Sequence, residues 1–128
     1  MRRVGRRLAA DRGSTTVEMV GYTALMFAAL LVGVQAVVWG LGELACRYAA
    51  SHALQVTRVQ GGTVAAGEAD AATVLAAVGG NLVSGPQITA TRNATTATVT
   101  VSGYAVQVVP FLKIPVGSTA SGPVESLG

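Results

Sequence analysis

With 128 residues, of which 51% are apolar and only 12% charged, the chain has room for one small domain and an accessory segment. Soluble domains carry about 25% charged residues, so part of this chain is built to avoid water. The net charge of +3 does not describe a nucleic-acid-binding face, because residues 1–13 hold five arginines against Asp11 (net +4) while the remainder holds four basic and five acidic groups (net −1).

The first element in chain order is apolar. From Met19 to Gly42 no residue is charged, and Gln35 is the one strongly polar interruption. A bilayer requires about 20 helical residues, so this stretch is expected to be a transmembrane helix. Tyr22 and Trp39 lie towards its two ends, where amphipathic rings favour the lipid–water boundary. The arginine-rich head orients the span with its N-terminus in the cytoplasm and everything after about residue 43 outside. A removable secretory signal has a similar layout but a shorter apolar core, of about 7–15 residues. Cleavage near Ala50 or Ala53, in "RYAASHA", is the corresponding alternative.

The helix is expected to continue beyond the membrane, since no Gly or Pro occurs between Glu43 and Gln60. Ala45, Ala49, Ala53, Val56 and Val59 recur at helical spacing, and Gly61-Gly62 ends the run. A helix from about Thr16 to Gln60 would be roughly 65–70 Å long. A short amphipathic helix follows, with Glu68 and Asp70 in its first turn, an apolar stripe at Ala71, Val74, Leu75 and Val78, and Gly79-Gly80 as its stop. From Gln87 the pattern becomes strand-like. "QITAT" and "ATVTV" flank the turn "RNAT", and Ala97, Val99 and Val101 alternate with Thr98, Thr100 and Ser102. "YAVQVV" offers a third strand, "FLKI" between Pro110 and Pro115 an edge or loop, and the turn-rich tail one last strand. The expected fold class is therefore α+β: a long N-terminal transmembrane and stalk helix, a short helix, and a small antiparallel sheet. The expected divisions are a basic leader (1–13), the transmembrane and stalk helix (14–60), and an extracytoplasmic domain (61–128). That domain is near the lower size limit for an independent core, and it is expected to lean on the stalk or on neighbouring subunits.

"RGSTTVEMV", from Arg12 to Val20, is the stretch that bears on function. Thr15 to Glu18 matches S/T-x-x-E, a capping box that would simply start a helix. The wider layout says more. A basic leader ends in Gly13, Ser14 follows, and Glu18 is the fifth residue counted from Ser14, immediately ahead of the apolar run. This layout is similar to the class III signal of type IV prepilins. Together with the stalk and the small head, it resembles the TadE-like family of tight-adherence (Flp-type) pilus systems. The resemblance is firmest from Asp11 to Gln60. It implies a minor pilin or pseudopilin, cut after Gly13 by a prepilin peptidase and acting in secretion and adhesion. It also implies that Glu18 pairs with the freed amine of a neighbouring subunit and sets register during assembly. The implied partners are the membrane, other pilin or TadE-like subunits and the pilus assembly machinery. Two departures stand out: no proline occurs early in the apolar run, and Ser14 is not aromatic. The alternatives are an unprocessed single-pass anchor or assembly scaffold, and an exported soluble binding protein.

Small residues recur four apart on the apolar helix, as Ala24 with Ala28, Ala29 with Gly33, and Ala36 with Gly40. Such pairs let helices approach closely in lipid, although Ala and Gly are abundant throughout this chain. Gln35 is placed to hydrogen-bond across helices or to sit alone in the span. Cys46, the single cysteine, cannot form an internal disulfide. It is either a packed thiol or a link between subunits. His52 has no second ligand and reads as a stalk-surface residue, and Asn93-Ala94-Thr95 reads as a turn. No nucleophile–base set or phosphate loop occurs. No enzymatic activity, cofactor, metal or nucleic-acid partner is expected.

Overall fold

The structure, a computed structural model, describes residues 15–125 with their side chains. Its elements are α1 (Arg2–Arg58), α2 (Val64–Gly79), β1 (Val83–Arg92), β2 (Thr96–Ala105) and β3 (Pro115–Pro123). The fold is α+β: a long N-terminal helix, a short second helix and one antiparallel sheet in the order β1-β2-β3. The chain divides into two compact units, with the boundary between Val34 and Gln35.

In the N-terminal unit every described residue from Thr15 to Val34 is exposed. These twenty residues span about 30 Å of helix, which matches the thickness of a bilayer's hydrocarbon core. They open a segment, Thr15–Arg58, that contains a window of mean hydropathy 2.2 and is long and apolar enough to cross a membrane. Because α1 begins ahead of Thr15, the Thr15–Glu18 pair lies within a helix. It is not the helix-starting box that its spacing suggested.

The C-terminal unit is a two-layer sandwich in which helices cover one face of the sheet. Along α1 the inward stripe is Gln35, Val38, Gly42, Ala45, Cys46, Ala49, Ala50, Ala53, Leu54 and Thr57, recurring at three- and four-residue intervals as one helix face requires. The predicted stripe holds at Ala45, Ala49 and Ala53. Thr57 then takes the innermost place, and Val56 and Val59 are only half-buried. Thr57 is accommodated because its hydroxyl donates to Ala53 O at 2.9 Å, leaving no unpaired polar atom.

The second helix begins earlier than its acidic residues suggested. Thr63 is the N-cap, and its side chain accepts from Ala66 N at 3.0 Å. Glu68 and Asp70 therefore fall in the second turn. There they make tertiary contacts and do not serve the helix dipole. Glu68 Oε1 accepts from Ala90 N on β1 at 3.2 Å, and Asp70 Oδ2 stands 2.6 Å from His52 Nδ1 on α1. The buried stripe of α2 is Gly67, Ala71, Leu75 and Gly79, while Val78 is exposed.

The hairpin forms as its sequence predicted. Asn93 Oδ1 accepts from the backbone of Thr95 (2.9 Å) and Thr96 (2.6 Å), an Asx turn that reverses the chain between β1 and β2. On β2 the side chains of Ala97, Val99 and Val101 are buried. On the opposite face Thr98 and Thr100 meet Ser121 and Thr119 of β3 at 3.1 Å each. Each fully buried valine contributes about 1.5–3 kcal/mol relative to exposure.

The third strand lies elsewhere than "YAVQVV". Tyr104 and Ala105 extend β2, the segment after them is irregular, and β3 comes from the tail, which pairs with β2 from Thr96↔Pro123 to Tyr104↔Pro115. The reason is Gln35. Its Nε2 donates to Val106 O (3.1 Å), and its Oε1 accepts from Val108 N (2.8 Å) and Val109 N (3.1 Å). This one carboxamide satisfies backbone groups that a strand ladder would otherwise have to pair.

Candidate functional site

In the N-terminal unit the feature of interest is the carboxylate near the start of the exposed apolar helix. Glu18 is exposed, and Tyr22 Oη, one turn further on, donates to its Oε1 at 2.9 Å. Residues four apart share a helix face, so the pair arises locally without a tertiary contact. One turn along, Thr23 Oγ1 donates back to Met19 O at 2.9 Å, so this hydroxyl needs no outside partner either. The predicted processing residues Gly13 and Ser14 lie outside the described residues.

Ala24, Ala28, Ala29 and Gly33 are all exposed, as are Ala36 and Gly40 in the C-terminal unit. A Cβ added at Gly33 or Gly40 would meet no atom within 4 Å. The sides of the helix bearing these pairs are uncovered by the chain itself. Within the C-terminal unit the uncovered apolar surface continues as a groove of about 510 Å³. It is lined by Leu41, Leu44, Ala45 and Tyr48 of α1 and by Val78 and Leu82 at the end of α2 and beyond.

Gln35 is not a lipid-facing residue available to another helix. It is 1% exposed, and both ends of its carboxamide are engaged within the C-terminal unit. Gln35 and Gly42, both within the expected Met19–Gly42 span, are buried against the rest of the C-terminal unit. From Gln35 onwards one face of the helix is core, with Gly42 against Val116 and Val83.

Cys46 is fully buried, so in this fold its sulfur cannot reach another subunit and it is a packed thiol. Burial, and secondarily the charge of Glu43, pushes its pKa above the ordinary value of 9.0. A thiol with a raised native pKa holds its proton longer than the unfolded chain does. Its stabilising contribution is complete below pH 9 and is lost as pH rises through the native value. Two results are expected. Maleimide should label Cys46 only after denaturation. Wild-type stability should fall above pH 9 more steeply than that of Cys46→Ala, measured by denaturant titration across pH 8–10.5.

His52 is exposed as expected, but it is not idle. Besides meeting Asp70, it lies beside Tyr48, with ring centroids 6.2 Å apart. Among the described residues, no three His, Cys, Asp or Glu side chains gather as a metal site would require.

Two anchoring side chains escaped the sequence reading. Glu43 Oε1 accepts from Gly117 N of β3 at 2.9 Å, tying the sheet to α1. Arg92 Nη1 donates to Thr57 O and Val59 O at 3.0 Å each and also to Gly62 O. It thus caps the carbonyls left open at the C-terminus of α1, where a cation also suits the helix dipole. The signal for Arg92 was its place in an otherwise neutral strand. The partners, thirty and more residues away, are invisible to local pattern.

No family model, curated protein or solved structure matches this chain.

Proposed function

We propose that this chain is a TadE-like minor pilin or pseudopilin of a tight-adherence pilus. In this reading a single membrane span holds it with the N-terminus in the cytoplasm and the C-terminal unit outside. A prepilin peptidase cuts after Gly13, and the chain then joins other pilin or TadE-like subunits through the assembly machinery. The observation that carries the reading is Glu18, five residues into the chain that cleavage would leave, on a helix whose apolar side chains from Thr15 to Val34 are all uncovered.

The physical support is that Glu18 has no counter-charge among the described residues. A carboxylate deep in a bilayer costs about 2.5–3.5 kcal/mol on insertion scales and less near its edge. The Tyr22 hydroxyl offers Glu18 a hydrogen bond but no positive charge. The amine freed at Ser14 of an adjacent chain would supply one. The uncovered small pairs and the groove beside Leu44 and Tyr48 would then be faces for lateral packing of subunits.

The N-terminus of the protein from cells, read by mass spectrometry, is expected to begin at Ser14. Retention of the arginine leader would replace this reading with that of an unprocessed anchor, which the same uncovered helix would equally serve. A start beyond residue 49 would indicate an exported protein, but Ala45, Cys46 and Ala49 belong to the core, and such a cut would remove them from the fold. Glu18→Gln is expected to leave membrane insertion intact and to abolish most assembly, scored as the ratio of sheared surface filament to membrane-retained protein. Unchanged assembly would remove the register role.

A further inference from the structure

One segment of the C-terminal unit neither enters its core nor pairs in its sheet: residues 106–113, between β2 and β3. Its start is fastened to Gln35 through Val106, Val108 and Val109. It then folds into a tight turn in which Leu112 N donates to Val109 O at 3.1 Å. The turn points its apolar residues outward. Phe111 is 88% exposed, more than any other large hydrophobic residue among those described, and Leu112 is 40% exposed. Lys113 follows, its Nζ 4.2 Å from the centroid of the Tyr104 ring. No acidic residue lies between Ala71 and Val124, and among the described residues Lys113 makes no salt bridge.

An exposed phenylalanine ring forfeits about 1.5–3 kcal/mol that burial would return, and the sheet offers it no cover. Its position indicates what does. Gln35, which holds the turn, is the next residue after the twenty exposed residues Thr15–Val34, whose length of about 30 Å matches a bilayer's hydrocarbon core. The turn is therefore fixed to the helix where the hydrocarbon would end. Its composition matches that level: an apolar tip, a tyrosine behind it, and a lysine whose alkyl stem can lie along apolar surface while its ammonium reaches outward.

We propose that residues 106–113 form a second membrane contact. Phe111 and Leu112 enter the edge of the adjoining leaflet, Tyr104 lies at headgroup level, and Lys113 meets lipid phosphate. The turn then gives the C-terminal unit an attachment to the bilayer of its own. This inference rests on the membrane-span reading above, and it does not depend on processing or pilus assembly.

The test uses the full chain reconstituted at low density in vesicles of phosphatidylcholine and phosphatidylglycerol at about 3:1. Three single-tryptophan reporters are made in a Trp39→Phe background: Phe111→Trp in the turn, Phe27→Trp in the span, and Ala94→Trp in the hairpin turn at the other end of β2. The Phe111→Trp reporter should be quenched at least twofold by lipid brominated near the headgroup end of its acyl chains. It should also be at least threefold less open to aqueous acrylamide than the Ala94→Trp reporter. The proposal is overturned if Phe111→Trp is as open to acrylamide as Ala94→Trp while Phe27→Trp is quenched by bromolipid; the span then stands and the turn faces water. It is equally overturned if the shielding at Phe111→Trp disappears on tenfold lipid dilution, which would assign the cover to a second protein chain. If Phe27→Trp itself escapes bromolipid, the membrane span fails and this contact fails with it.

Discussion

Replacing Gly67 by alanine is expected to destabilise the C-terminal unit by about 2 kcal/mol, the usual cost of overpacking a tight contact. A Cβ at this position would collide with Thr57 Oγ1 and stand 3.2 Å from Thr57 Cβ. Thr57 cannot easily turn aside, because its hydroxyl is buried and bonded to Ala53 O. For a unit of this size the midpoint of thermal unfolding should fall by about 10 °C, read by circular dichroism on the detergent-solubilised chain. Thr57→Ala removes the offending oxygen, so the Gly67→Ala/Thr57→Ala double variant should recover most of the loss. An additive double variant would show that the strain lies elsewhere. Gly79 is the matching contact at the other end of α2, where an added Cβ would come within 2.6 Å of Ala45 Cβ.

The second large effect is expected at Gln35. Gln35→Leu keeps the side chain's bulk but leaves Val108 N and Val109 N without their acceptor and Val106 O without its donor. Unpaired buried backbone groups cost about 1–3 kcal/mol each, so the 106–112 segment should detach before the rest of the unit unfolds. Hydrogen exchange of a peptide covering residues 105–113 should accelerate by about 30-fold, equivalent to about 2 kcal/mol, while β1 and the first half of β2 change little. Gln35→Glu supplies a sharper comparison. A carboxylate still accepts from the two amides but cannot donate to Val106 O, and it carries a charge into a buried site. Its segment should be better protected at acidic pH, where the protonated carboxyl can donate, than at neutral pH. Equal exchange in wild type and both variants would show that Gln35 does not hold the loop.

Local periodicity made the helices, the hairpin and the α+β class legible. Alternation placed Ala97, Val99 and Val101 inward, and four-residue spacing placed Ala45, Ala49 and Ala53. Errors arose where one distant side chain decides local structure. Nothing near "YAVQVV" announces that Gln35, about seventy positions earlier, takes up its backbone groups, so an apolar run that reads as a strand becomes a loop. Nothing near Glu68 announces that its carboxylate is needed by Ala90, which let it pass for a helix-dipole residue. Nothing in the local pattern announces that the missing side chain of Gly67 is what admits Thr57. At the candidate site, Glu18 and the small pairs were visible as residues, and their exposure is a property of the fold. Tyr22 was noticed for its ring, and its bond to Glu18 follows only once the two share a helix face.

The segment of α1 that begins at Gln35 is at once a support for the C-terminal unit and its innermost wall, and this constrains how the chain matures during synthesis. Ala49, Ala53 and Thr57 emerge from the ribosome long before Val99, Val101 and Val116 exist to cover them. Contacts such as Gly42 with Val116 and Leu54 with Gly122 therefore close late, and the closing strand, β3, comes last. The half-made product exposes a row of alanines with no sheet over it until about residue 123 has been delivered. Acquisition of structure is therefore expected to be abrupt and late, and a factor that shields the nascent helix would act between those two moments.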